Sequence, residues 1–176
     1  MLRAGKKHYI GVENGILDNV GFEGEKNDRP EFYHIVYDKL VKNIMVDEIG
    51  PLPDIRKAFL DLDCGKVDSS LLKISQKVGR HPDNDVVTAR VGTIARAVNA
   101  KEGDLIKYYN SNKKKTGNSW TLDPAQIDIA KYKELLWNII KEILDIEGCS
   151  VTDLAKELGI KVKGQCRKRS STHSTI

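Results

Sequence analysis

Lys6-Lys7-His8-Tyr9 sets two adjacent ammonium groups and a phenol directly before a strand-turn-strand pattern. Side chains alternate along a strand, so Lys7 and Tyr9 would share one face if extended, with Lys6 on the other. The chemistry these groups suit is gripping phosphate oxygens in register. Other cations cluster at Lys113-Lys114-Lys115 and Arg167-Lys168-Arg169. A further anion seat is expected where a helix over 83–99 begins, with Arg80, His81, Thr88 and Arg90 around it. Free N–H groups and the positive end of the helix dipole favour an anion there, and a cap by Asp83 or Asn84 would use only one of those N–H groups. Asp61-Leu62-Asp63 resembles a paired-carboxylate metal site, but it falls at a predicted helix end beside Leu60 and Cys64. No third or fourth oxygen ligand stands at useful spacing, so neither a metal ligand nor a catalytic residue is assigned.

The elements that must position these groups are legible from periodicity. Ile10, Val12, Ile16 and Val20 supply apolar strand positions around Asn14-Gly15, a dipeptide that accepts positive φ in a tight hairpin. Pro30 opens a helix over 31–48 whose Phe32, Ile35, Val36, Leu40, Ile44 and Met45 should face the core. A second helix is expected from about Pro53 to Leu62, ended near Gly65. The third, over 83–99, should turn Val87, Val91, Ile94, Ala95 and Val98 inward. Residues 110–119 are polar throughout, lack apolar periodicity, and read as a flexible loop. Trp120 and Trp137 invite base stacking, but Trp137 shares an apolar face with Leu136, Ile140 and Leu144 and is assigned to the core. Ser150 to Ile160 reads as the first helix and turn of a helix-turn-helix, with Leu154, Ala155 and Leu158 inward. No second helix follows, and Lys161 to Ile176 has the composition of a disordered basic tail.

The fold class expected is α+β: a short N-terminal β-hairpin, then a mainly helical domain with a small strand pair. The chain divides into a hairpin unit over 1–29, a helical domain over 30–148, and a short helix with a basic, flexible tail over 149–176. With 176 residues and 40% apolar content it can build a core. The apolar runs are short and no signal-like leader is evident, so a cytoplasmic chain without membrane contact is expected. Three distant cysteines with no C-x-x-C pair suggest reduced thiols rather than zinc or redox work. A net charge of +4 permits nucleic-acid binding without demanding it.

Lys6-Lys7-x-Tyr9, Gly11, Asn14-Gly15, Gly21-Phe22-Glu23 and Lys26-x-Asp28 together resemble the segment of archaeal family-B DNA polymerases that follows the last catalytic carboxylates of the palm. In that family the K-K-x-Y motif grips the primer backbone and leads into the thumb. The resemblance continues through Cys64-Gly65-Lys66-Val67, Leu71-Leu72, Ile74-Ser75-Gln76-Lys77, Val86-Val87-x-Ala89-Arg90 and Gly103-Asp104-Leu105-Ile106-Lys107-Tyr108. It ends with Ile127-Asp128-x-x-Lys131-Tyr132, Leu135-Leu136 and Ile139-Ile140, similar to the final thumb helix, and covers about residues 5 to 146. Asn84-Asp85 stands where the family has Pro-His, and no clamp-binding motif follows Gln165.

The resemblance implies a DNA-binding set of Lys6, Lys7, Tyr9, Lys26, Ser75, Lys77, Arg80, Thr88, Arg90, Lys113, Lys114 and Lys115. Neither the family's D-x-x-S-L-Y-P-S nor its D-T-D motif occurs in this chain. Nucleotide transfer needs paired carboxylates holding two divalent ions. The expectation is therefore the small subunit of a split family-B polymerase, inactive alone, whose partners are primer-template duplex and a large catalytic subunit. Mg is expected only in that partner's active site. An exposed edge at the hairpin suggests docking or self-association through strand pairing. The alternative is a non-catalytic DNA-binding or regulatory protein, either a reused thumb or one built on the helix-turn-helix-like segment.

Overall fold

The computed structural model describes residues 2–5, 8–13, 16–20, 28–47, 50–79, 89–147 and 151–160. Among these the chain is α+β, with two small antiparallel sheets, six helices and two short 3-10 turns.

The hairpin forms from β2 (His8–Glu13) and β3 (Ile16–Val20), with Glu13 opposite Ile16, so Asn14-Gly15 is all the sequence between the strands. It does not stand alone. β1 (Leu2–Gly5) pairs along the other side of β2, Leu2 opposite Ile10 and Gly5 opposite His8, and gives a sheet of order β1-β2-β3. Among the described residues β1 and β3 are therefore the edge strands of this sheet. β1 also lies beside the long helix α5 (Ile129–Glu147).

Four helices build the main core. α1 (Glu31–Met45) follows Pro30, whose missing N–H would have had no helical partner anyway. It buries Phe32, Tyr33, Val36, Tyr37, Leu40 and Val41. Ile35, expected inside, is 49% exposed. The two tyrosines shift the buried arc: successive residues turn by about 100°, and Tyr33 and Tyr37 draw the stripe away from position 35. α2 (Leu52–Asp63) stops at Cys64, and Gly65 with φ +64° turns the chain away in the left-handed region. α5 buries Tyr132, Leu136, Trp137, Ile139, Ile140, Ile143 and Leu144. The Trp137 and Phe59 rings meet edge to face, 6.5 Å between centroids at 77°, so Trp137 belongs to the core as its spacing predicts. α6 (Val151–Glu157) inserts Leu154 and Ala155 into the same core, and Leu158 just past its end joins them. Arg56 of α2 grips Glu157 through contacts of 2.5 and 3.0 Å.

Tyr132 is the joint of the domain. Its backbone carbonyl accepts from the Tyr33 hydroxyl at 2.9 Å. Its own hydroxyl donates to the Leu72 carbonyl at 2.7 Å and accepts from the Asn110 N–H at 3.1 Å. Three chain segments thus hang on one buried residue, two of them on its hydroxyl.

The second sheet runs in the order β4 (Ile74–Lys77), β5 (Leu105–Asn110) and β6 (Trp120–Thr121), so the strand pair read from sequence gains a third short member. One face packs on α3 (Ala89–Ala97) in a smaller core of Ile74, Val78, Val91, Ile94, Ala95, Ile106 and Tyr108. The half-buried Trp120 packs at its margin. Val98, expected inward, is 40% exposed. α3 ends at Ala97, Asn99 turns the chain at φ +54°, and Ala100 packs against this core instead. Among the described residues no helix is long and apolar enough to cross a membrane.

Candidate nucleic-acid interface

The two faces of the second sheet have opposite characters because side chains alternate along each strand. Ile74 pairs with Tyr108 and Gln76 with Ile106 on the face toward α3, where the Tyr108 hydroxyl donates to Gln76 Oε1 at 3.1 Å. Ser75 pairs with Lys107 and Lys77 with Leu105 on the other face. Lys77 and Lys107 are exposed there and Ser75 is half-buried. The main core covers that face only at the end of β5, where Tyr109 is buried.

A polar cleft of about 410 Å³ opens on this uncovered face. Arg29, Glu31 and His34 line it from the start of α1, Ser70 and Lys73 from the 3-10 turn Ser69–Leu72, and Ser75 and Lys107 from the sheet. Asp68 caps the turn by accepting from the Ser70 N–H at 2.7 Å. Its bonds to the Ser70 side chain and backbone hold its carboxyl below the usual range, so this nearby negative charge is engaged by the turn. Three cations against one carboxylate, with the Ser75 hydroxyl on the same wall, suit a phosphodiester track. The cations supply salt-sensitive attraction and Ser75 a neutral donor to phosphate oxygens, while the Ser70 hydroxyl is engaged by Asp68.

A second cationic cluster lies past the end of β5. Residues 110–119 were expected as a flexible loop, but they form a tightly bonded structure. Asn112 accepts from the Lys114 N–H at 3.0 Å and starts the turn α4 (Lys113–Thr116), and Gly117 closes it at φ +79°. Ser111 Oγ donates to the Asn118 carbonyl at 2.7 Å and lies 3.0 Å from Thr116 Oγ1. Short polar side chains satisfy the backbone here, a pattern that apolar periodicity does not register. Lys113, Lys114 and Lys115 project exposed from this turn.

Arg90 spans α3 and this loop. Its guanidinium lies 5.0 Å from the centre of the Tyr108 ring, donates to Asn110 Oδ1, and donates to the Ser119 carbonyl at 3.1 Å. Burial raises the Tyr108 hydroxyl pKa, with Arg90 opposing.

Of the DNA-binding set read from sequence, the structure brings Ser75 and Lys77 to one sheet face, and Arg90 beside the Lys113–Lys115 turn on the other side. Tyr9 lies in β2 opposite Arg3 and Val20. Lys6, Lys7, Lys26, Arg80 and Thr88 lie outside the described residues, as do Asp83, Asn84 and the basic tail over 161–176. Asp61 is paired with Lys57 at 2.5 Å, and both oxygens of Asp63 meet Lys133, at 3.0 and 2.7 Å. These contacts do not fit the carboxylates for a divalent ion, and no group of three or more possible metal ligands lies among the described residues. Lys73, Lys107, Arg29 and His34 were missed from sequence. Lys107 had a usable signal, since alternation through Leu105-Ile106-Lys107-Tyr108 turns it away from the core.

No protein-family model matches the chain, and no curated protein does. Among solved structures, the fold is similar to the family B DNA polymerase from the hyperthermophilic archaeon Pyrobaculum calidifontis, with a TM-score of 0.60 and 21% identity. The match covers 82% of this chain and 20% of that one, so this chain spans about a fifth of the polymerase's length.

Proposed function

We propose that this chain is a thumb-like subunit of a split family-B DNA polymerase, binding primer-template duplex through its phosphate backbone. A larger chain would supply the palm carboxylates and their Mg. The observation that carries the reading is the fold likeness across 82% of the chain to one part of a family B polymerase. The cationic cleft of Arg29, Lys73, Ser75 and Lys107 supports it by offering donors suited to phosphates. Lys6, Lys7, Tyr9 and Lys26 would hold the primer end, and Lys77, Arg80, Thr88, Arg90 and Lys113 to Lys115 would extend the grip. In this role the chain aligns the primer for attack and moves no proton itself.

The test is duplex binding by fluorescence anisotropy over a series of salt concentrations, followed by primer extension with a polymerase chain lacking its thumb. Affinity is expected to be the same for unrelated duplex sequences. The double variant Lys73→Gln/Lys107→Gln should lower the slope of log affinity against log salt by about 1 to 2, the loss of two phosphate contacts. Extension by the large chain should rise when this chain is added. A sequence-specific footprint that survives excess random duplex, or extension indifferent to this chain, would overturn the proposal.

A further inference from the structure

We infer that His34 makes the cleft beside Ser75 and Lys107 a pH-graded grip, which holds a polynucleotide phosphate more tightly as the imidazole takes up a proton. This rests on the duplex reading and adds the regulation of that same surface.

His34 stands in the first turn of α1, three residues after Glu31, and both line the cleft of about 410 Å³. Phe32, Tyr33 and Val36 occupy the core side of this turn. The half-buried His34 ring therefore lies toward the 3-10 turn Ser69–Leu72, which packs against α1. Lys73 follows that turn, Lys107 comes from β5 and Arg29 from just before the helix, so four chain segments bring their charges to one cleft. Among the described residues the ring has no hydrogen-bond or ion-pair partner.

The charges around the ring decide what its proton does. Arg29, Lys73 and Lys107 stay cationic at any physiological pH, and Glu31 is the one carboxylate in the lining. Asp68 lies near Lys73 but is engaged by Ser70, and Asp38, one turn further along α1, is exposed. Imidazole is the side chain that ordinarily changes charge between about pH 5 and 8. Its protonation takes the lining from two net positive charges to three. A phosphodiester keeps its single negative charge throughout that range, so the ligand does not cancel the change. An anion seated here favours the charged ring, and by linkage the charged ring favours the anion. Affinity therefore rises as pH falls. Above this range a neutral ring still offers one N–H, so binding weakens without being switched off.

The test uses the full chain and a short duplex of random sequence. Affinity is measured by fluorescence anisotropy from about pH 8 to about pH 5.5 at fixed ionic strength, and the His34 ring is titrated by NMR with and without duplex. Affinity should rise roughly twofold to fivefold over the interval, as one added charge pair would give, and the slope of log affinity against log salt should steepen by about 1. The midpoint of the ring's titration should move to higher pH when duplex is present. His8, His81 and His173 also titrate, so the change due to His34 is read as the difference between the native profile and that of His34→Gln. That variant should lose the His34 share of the rise, and His34→Lys, permanently charged, should bind at pH 8 about as tightly as the native chain does at pH 5.5. An unmoved ring titration, or a His34→Gln profile that matches the native one, overturns the inference while duplex binding itself stands. No binding at any pH removes the duplex reading and this inference with it.

Discussion

Replacing Tyr132 by Phe removes one oxygen and tests how the two cationic surfaces are held. That hydroxyl donates to Leu72 and accepts from Asn110, so Tyr132→Phe leaves a buried carbonyl and a buried N–H without their partner. At about 1–3 kcal/mol for each unmet group, and with some relaxation, the expected loss is about 2–4 kcal/mol. Alkaline pH supplies a second, independent reading. Burial pushes the Tyr132 pKa up from 10.0 to about 12; the Tyr109 and Tyr108 rings add to the rise, and the Asn110 N–H and Arg90 oppose it. A folded-state pKa above the unfolded one means that the unfolded chain gives up its proton first. The associated stability is complete below pH 10 and is lost as pH rises through about 12, amounting to about 3 kcal/mol at roughly 1.4 kcal/mol per unit. Denaturant unfolding of both proteins should therefore show a gap at pH 7 that narrows between pH 10 and pH 12. Tyr33, raised by burial and secondarily by Tyr132, adds an alkaline loss of its own in both proteins, and the part that depends on Tyr132 leaves with the hydroxyl and belongs to the measured difference. A gap under about 1 kcal/mol at neutral pH, or one that stays constant to pH 12, would refute the assignment of Tyr132 as the joint.

Trp137→Ala empties a buried site against Phe59 and should cost about 3–5 kcal/mol in denaturant unfolding, because truncating a packed aromatic combines lost burial with a cavity. The bond to Arg56 draws the Glu157 pKa below its ordinary value of 4.5, so the support it gives α6 is present above that pH and is lost as pH falls through the lower folded value. Hydrogen exchange in α6 should accordingly accelerate, relative to the rest of the chain, on acidification below pH 4.5. Arg56→Gln should bring that acceleration on at neutral pH, and equal exchange in both proteins would count against the contact.

Elements with strong local signals were legible in the sequence. The Asn14-Gly15 hairpin, the starts of α1 and α2 beside prolines, the end of α2 at Gly65 and the core position of Trp137 all follow from turn chemistry and apolar spacing. The buried tyrosines were harder to read. Tyr33 and Tyr132 are core residues because each hydroxyl finds a partner on another segment, and that partner is invisible in a local window. The same limit explains Ile35, displaced from the core by tyrosines that hydropathy ranks lower. Most of the cationic cleft was also out of reach. Ser75 came from a resemblance, but Arg29, His34 and Lys73 join it only through the packing of the 3-10 turn against α1. Asn110 looks like an ordinary strand-end amide until Arg90, twenty residues earlier, claims its oxygen.

The pairing of β5 with β4 fixes more than a sheet. Lys107 faces solvent and Tyr108 faces α3 because Ser75 and Ile74 are their respective partners, and a slip of one residue would exchange every inside and outside position. Such a slip would bury an ammonium group under α3 and strand a tyrosine in water, so a chain that folds wrongly here also loses its charged face. On the proposed reading, affinity for duplex phosphates is thereby tied to conformational accuracy.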